Sequence, residues 1–147
     1  MTREDAGKYA AKHPRGTAQN EPIVKAIRQN APDGALACAV AEKISSEFKV
    51  PMAEVGINAD LLEIQIKECQ LGLFGWGDKP SHGKDIQPAV SVSGDIKTAV
   101  EKAAANGKVA CAALWKIADQ LGVKRRAASA VCEALGIKVR ACQLGAF

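Results

Sequence analysis

The chain has 147 residues, 48% of them hydrophobic but only 4% aromatic, and a net charge of +4. That length makes one domain or two small ones, and the aliphatic composition points to Ala, Val, Ile and Leu cores in small helical units. No apolar run reaches the ~18 residues of a membrane span, and the charged opening MTREDAGKYAAKHPRG lacks the apolar stretch of a secretory signal.

The first segment reads as a short helical extension over 1–19. Thr2 and Asp5 form an approximate capping box at its start, and Pro14 and Gly16 end it. Asn20-Glu21-Pro22 then places a cap before an early proline, which opens a helix through Ile23, Val24, Ala26 and Ile27. Ala31-Pro32-Asp33-Gly34 stops it. Gly34–Cys38 reads as a short strand. Val40, Ala41, Ile44 and Phe48 fall on one face of a following helix. Lys49-Val50-Pro51 is a tight connection into a helix over 52–62, with Met52, Val55, Ala59 and Leu62 inward. Ile64–Cys69 alternates apolar and polar residues, the mark of a half-buried strand.

Residues 76–92 read as a linker, because GWGDKPSHGKD carries Gly and Pro without periodicity. Trp76 is expected to clip it to a folded unit. The pattern then restarts: a helix over 95–105, a turn at Asn106-Gly107, a strand over 108–111, helices over 113–121 and 124–135, and a strand over 137–142.

The restart is a duplication. Residues 33–74 align on 106–147 without a gap. Gly34/Gly107, Ala37/Ala110, Cys38/Cys111, Ala39/Ala112, Lys43/Lys116, Ile44/Ile117, Val50/Val123 and Ile64/Ile137 are identical pairs. The phrase Cys69-Gln70-Leu71-Gly72-x-Phe74 recurs as Cys142-Gln143-Leu144-Gly145-x-Phe147. The expected organisation is an extension (1–19), repeat 1 (20–75), a linker (76–92) and repeat 2 (93–147). The expected fold class is mainly α with small β.

The order of elements resembles the winged helix-turn-helix. The residues that carry the resemblance are Leu114–Val123, Lys124–Val131 and Ala134-Leu135-Gly136-Ile137. Ala118 is small where two helices cross, and Gly122 suits a sharp inter-helix turn. Val123 is expected to plug that turn into the core. Ala127, Ala130, Val131 and Ala134 give the next helix a narrow apolar stripe. The chain offers little beyond each closing strand, so the resemblance implies two tandem winged-helix-like repeats with truncated wings. It also implies that the helix after the turn faces the DNA major groove. Repeat 2 offers Lys124, Arg125, Arg126 and Ser129 there, with Lys138 and Arg140 on one side of the closing strand. The counterpart helix in repeat 1 carries Glu54 and Asp60, with Glu63 at its end, and no Lys or Arg.

Charge follows the same division. Residues 1–77 hold 9 Lys/Arg against 10 Asp/Glu, whereas residues 78–147 hold 11 against 6. The positive half favours an anionic partner, taken here as double-stranded DNA. Repeat 1 is assigned to a protein partner or a homodimer contact. Five cysteines without a signal point to reduced thiols and a cytoplasmic setting. Cys38/Cys69 and Cys111/Cys142 are each separated by 31 residues, with no CxxC and no neighbouring His, which is a poor zinc signature. They are read as core residues, with thiol or metal sensing as the alternative. His13 and His82 have no nucleophile or carboxylate placed with them by spacing. Gly75-Trp76-Gly77 is not a phosphate loop. No enzyme activity, membrane contact or cofactor is expected. The leading reading is a DNA-binding transcription regulator. The alternatives are a non-enzymatic protein-interaction module and a thiol-based sensor.

Overall fold

The computed structural model describes residues 7–77 and 83–147. The capping box at Thr2 and Asp5 lies outside these residues, as do Asp78 and His82 in the linker. The protein is mainly helical with small parallel strand pairs. The described chain begins with a short 3-10 helix, Tyr9–Lys12, rather than a full α-helix. Then follow α1 (Glu21–Asn30), β1 (Ala35–Ala37), α2 (Cys38–Phe48), α3 (Met52–Leu61) and β2 (Gln65–Lys67). The second series is α4 (Gly94–Ala103), β3 (Lys108–Ala110), α5 (Cys111–Leu121), α6 (Arg125–Leu135) and β4 (Lys138–Arg140).

β1 pairs with β2 in parallel, Ala35 opposite Gln65. β3 pairs with β4 in parallel, Lys108 opposite Lys138. The two registers differ by the same 73 residues that relate the sequence repeats. Parallel pairing is what a helical crossover between two strands requires. A wing is an antiparallel hairpin, and among the described residues β2 and β4 are followed by turns, not by a returning strand.

The chain divides into two compact units that do not coincide with the repeats. Residues 1–69 and 143–147 form unit 1, and Gln70–Cys142 form unit 2. Each repeat therefore gives up the Gln-Leu-Gly-x-Phe stretch that follows its closing strand.

In unit 1, α1 buries Ile23, Val24, Ala26 and Ile27, as its spacing predicts. Leu36 and Ile66 meet at the centre of the strand pair, 0% and 1% exposed. Burial of each such side chain stabilises by about 1.5–3 kcal/mol. α2 begins one residue after β1, so Cys38 opens a helix instead of closing a strand. Its buried face is Cys38, Ala41 and Ile44, and Phe48 is exposed. In unit 2, Ile96, Val100, Val109, Leu114, Ile117 and Val131 make the core.

The α5–α6 turn has the predicted shape, with Gly122 left-handed at φ 66. Gly136 ends α6 in the same conformation, φ 69. Val123, however, is exposed instead of plugging the turn. The buried stripe of α6 is Ala128, Ser129, Val131 and Cys132, not Ala127, Ala130, Val131 and Ala134. The middle of this helix, residues 127–132, is built of Ala, Ser, Val and Cys and carries too little size contrast to mark its inner face in the sequence.

Candidate nucleic-acid interface

The six residues expected to face DNA fall into three different settings. Lys124 is the N-terminal cap of α6 and is exposed. Arg125 and Arg126 follow in the first turn, where no acidic residue balances them. Cations at a helix N-terminus oppose the helix dipole, so each needs a partner. Both find one inside unit 2.

The Arg125 guanidinium lies 3.8 Å from the centre of the Trp115 ring. Its Nε and Nη2 donate to the two carboxylate oxygens of Asp119 at 3.2 and 2.9 Å. Its Nη1 donates to Gln70 Oε1 at 3.0 Å. Planar, forked donors suit this combination of stacking and paired hydrogen bonds. The hydrogen bond from Arg125 holds the Asp119 carboxyl below its ordinary value; slight desolvation opposes this, and the Arg125 charge adds to it.

Arg126 sits 4.6 Å from the centre of the Trp76 ring and donates to Asp85 Oδ2 from both terminal nitrogens, at 3.2 and 3.1 Å. Trp76 thus clips the start of the linker, as expected from sequence. The Asp85 amide donates to the Gly72 carbonyl at 2.8 Å. Gly72 is at φ +74, and a side chain there would meet the Asp85 backbone at 2.8 Å. Farther along, the Ala89 amide donates to the Ala130 carbonyl of α6, and Lys84 pairs with Glu133 at 2.7 Å. The first turn of α6 is therefore covered by Gln70, Trp76 and Asp85 of its own chain.

Ser129 is fully buried, and its Oγ has no hydrogen-bond partner. It faces the core with Ala128 and Val131, so its assignment as a groove-facing residue is corrected. The sequence held a sign of this: its repeat-1 counterpart is Gly56, so both copies keep a small residue where the chain packs closely.

Lys138 and Arg140 are exposed on alternate positions of β4. The parallel register sets Lys108 directly opposite Lys138. Val109 is buried and its register partner Val139 half-buried on the opposite side, so Lys108, Lys138 and Arg140 lie on one side of the strand pair. Like charges directly opposite each other in a sheet are destabilising. None of the three, nor Lys124, has an ion-pair partner among the described residues. Sequence reasoning missed Lys108, because only the strand register brings it to Lys138. The corresponding residues in repeat 1 are Ala35, Gln65 and Lys67.

The acidic helix α3 has a different use. Asp60, 2% exposed, lies 2.8 Å from His13 Nε2 and 3.1 Å from Lys12 Nζ. Glu63 accepts the backbone amides of Tyr9 and Ala10 at 2.9 and 2.8 Å. Glu54 accepts Asn20 Nδ2 at 3.1 Å, and buried Asn58 accepts the Asn20 amide at 2.9 Å. Asn20 holds the predicted cap position of α1, yet its side chain bonds Glu54 and not the helix amides. Carboxylates of α3, with Glu63 just after it, thus bind residues 9–20 of the same chain. The 47-residue separation of His13 and Asp60 gave the sequence no way to pair them.

Cys38, Cys69, Cys111 and Cys132 are buried and Cys142 is half-buried, and no disulfide forms among them. Burial, reinforced by the neighbouring Glu133 charge, pushes the Cys132 thiol up to about 11. Among the described residues no group of three His, Cys, Asp or Glu side chains is placed to hold a metal ion. No helix among them is long and apolar enough to cross a membrane. Comparison with known proteins finds no matching family, curated protein or solved structure.

Proposed function

We propose that this protein is a non-enzymatic DNA-binding regulator of the cytoplasm, built from two winged-helix-like repeats with truncated wings. Repeat 2 is its nucleic-acid-facing module. The observation that carries this reading is a group of exposed cations without an ion-pair partner among the described residues: Lys124, and Lys108, Lys138 and Arg140 on one side of the β3–β4 pair. Opposed lysines are costly unless an anion sits between them, and a phosphate backbone supplies that anion. The contact surface is thereby moved from the first turn of α6 to the strand face, because Arg125 and Arg126 already have carboxylate and aromatic partners.

The test is duplex binding followed by fluorescence anisotropy across a salt series. Four phosphate contacts give a slope of log K against log salt of about −3.6. Replacing Lys138 and Arg140 with Ala brings it to about −1.8. Recruiting Arg125 and Arg126 as well steepens the slope of the unchanged chain to about −5.4. Absence of duplex binding at low salt ends the DNA reading.

The second reading is a protein-interaction module. It draws on the exposed apolar residues at the inter-helix turns: Leu121 and Val123 in repeat 2, and Phe48 at the equivalent place in repeat 1. That reading predicts a stoichiometric protein partner whose binding survives neutralisation of Lys124, Lys138 and Arg140.

A further inference from the structure

The repeated phrase Cys-Gln-Leu-Gly-x-Phe does not stay with the repeat that ends in it. Residues 70–74 belong to unit 2, and residues 143–147 belong to unit 1. The first case needs no return of the chain, since residue 70 leads directly into the rest of unit 2. The second does: the whole of unit 2 separates residues 143–147 from the remainder of unit 1. This segment is a short peptide docked on a unit to which it is joined only from afar.

Its docking is specific. Leu144 and Ala146 are 3% and 1% exposed. The Leu144 backbone runs so close to α3 that a Cβ at Gly56 would strike its carbonyl group. Lys12 Nζ donates to the Gly145 carbonyl at 3.1 Å. A glycine on the helix, a buried leucine on the segment and a cationic clamp together form a receptor for Gln-Leu-Gly-Ala-Phe.

The segment also leaves its strand through a strained hinge. Ala141 has φ 52, a left-handed conformation that a residue with a Cβ adopts at a cost. Its counterpart in repeat 1, Glu68, has φ 51. Both copies therefore bend at the same place, immediately before the phrase, without using glycine.

From these three observations we infer that residues 143–147 are an exchange element, and that the α3 receptor of one molecule accepts the same segment from a second copy of this chain. The second copy is the occupant because it presents the identical peptide, and because opening the hinge at Ala141 relieves the left-handed strain. Reciprocal exchange makes a closed dimer that adds no new contact type. In the unchanged chain the tethered segment competes at an effective concentration on the order of mM, so the closed monomer dominates at about 10 μM. This inference is independent of DNA binding.

The experiment is light scattering after size-exclusion chromatography on the full chain, with circular dichroism to confirm folding. Ala141→Pro cannot reach positive φ, so it holds the hinge open and is expected to be dimeric at ~10 μM, where the unchanged chain is monomeric. Ala141→Val keeps the amide but disfavours the left-handed bend, and is expected to tighten dimerisation on the order of tenfold. Ala141→Gly is expected to weaken it by a similar factor. Adding Leu144→Asp to either dimerising variant restores the monomer. The proposal is overturned if Ala141→Pro and Ala141→Val, folded by circular dichroism, remain monomeric up to ~1 mM. It is equally overturned by a dimer that persists with Leu144→Asp, which locates the interface elsewhere.

Discussion

Helices α3 and α6 hold equivalent positions in the two repeats, and both are covered by a segment of their own chain. The chemistry of the cover is opposite. On α3 and at Glu63 just after it, carboxylates hold backbone amides, a histidine and a lysine of residues 9–20. On α6, guanidinium groups hold aromatic rings and carboxylates, with Gln70, Trp76 and Asp85 supplied from the chain before the helix. None of the buried residues of α3 recurs at the matching position of α6, and α6 carries Arg125 and Arg126 where α3 has Met52 and Ala53, so each helix has a strap of complementary chemistry. The excess of positive charge in the second half is therefore only partly available to a partner. Two of its arginines are used internally, and three further cations, Lys108, Lys138 and Arg140, share one side of the strand pair.

The sharpest way to break this comparison is at Asp60 and its counterpart Glu133. Asp60 is buried beneath His13 and Lys12, whereas Glu133 meets Lys84 with both side chains about one-third exposed. Removing one member of a buried charged cluster strands its partners, at a cost of about 3 kcal/mol. An exposed pair contributes less than about 1 kcal/mol. Asp60→Ala is therefore expected to lower the urea midpoint markedly and to expose residues 9–20 to protease, while Glu133→Ala leaves the midpoint nearly unchanged. Equal effects would mean that the strap on α3 is no better fixed than the one on α6.

A second comparison reverses the sign of one substitution. Alanine at Gly56 gains about 1 kcal/mol of helix propensity, but its Cβ meets the backbone of Leu144, which cannot swing aside as a side-chain tip can. Overpacking of this kind costs about 1–3 kcal/mol, and more where backbone must move. Gly56→Ala is expected to destabilise. Alanine at the equivalent Ser129 removes a buried hydroxyl that has no partner, and is expected to stabilise by about 1 kcal/mol. Chemical denaturation of the two variants gives shifts in opposite directions if the two sites are as different as their surroundings.

Much of this architecture was legible in the chain. Pro22, Pro32, Gly122 and Gly136 fix helix ends through backbone geometry, which is local, so the helices of both repeats were readable to within a few residues. The mainly helical class with short strands followed from the same signals. What was not legible depends on partners distant in sequence. Lys124, Arg125 and Arg126 look alike as a run of cations, yet Gln70, Asp85 and Trp76 distinguish the two arginines from the lysine. Lys108 joins Lys138 only through a parallel register. Ser129 looks like a polar reader at the start of a helix, but it lies one turn after Arg125 on the same face, and that face turns inward, where Arg125 packs on the Trp115 ring.

The smallest expected effect lies at the inter-helix turns. Repeat 2 places Gly122 in the left-handed position, φ 66, and repeat 1 places Lys49 there, φ 54. A lysine pays for its Cβ in that conformation, and its amide still donates to the carbonyls of Ser45 and Ser46 to close α2. Lys49→Gly keeps those backbone bonds and removes the steric penalty. Part of the gain is lost because glycine leaves the unfolded chain more freedom. The net expectation is a stabilisation of about 0.5–1 kcal/mol. The reciprocal Gly122→Lys is expected to destabilise by about 1 kcal/mol, since nothing lies within 4 Å of a Cβ built at Gly122 and the penalty is conformational alone. Thermal melts of the two variants should therefore move apart by a few degrees. If they move together, Lys49 is held by its side chain, and the two turns differ in more than the residue at their bend.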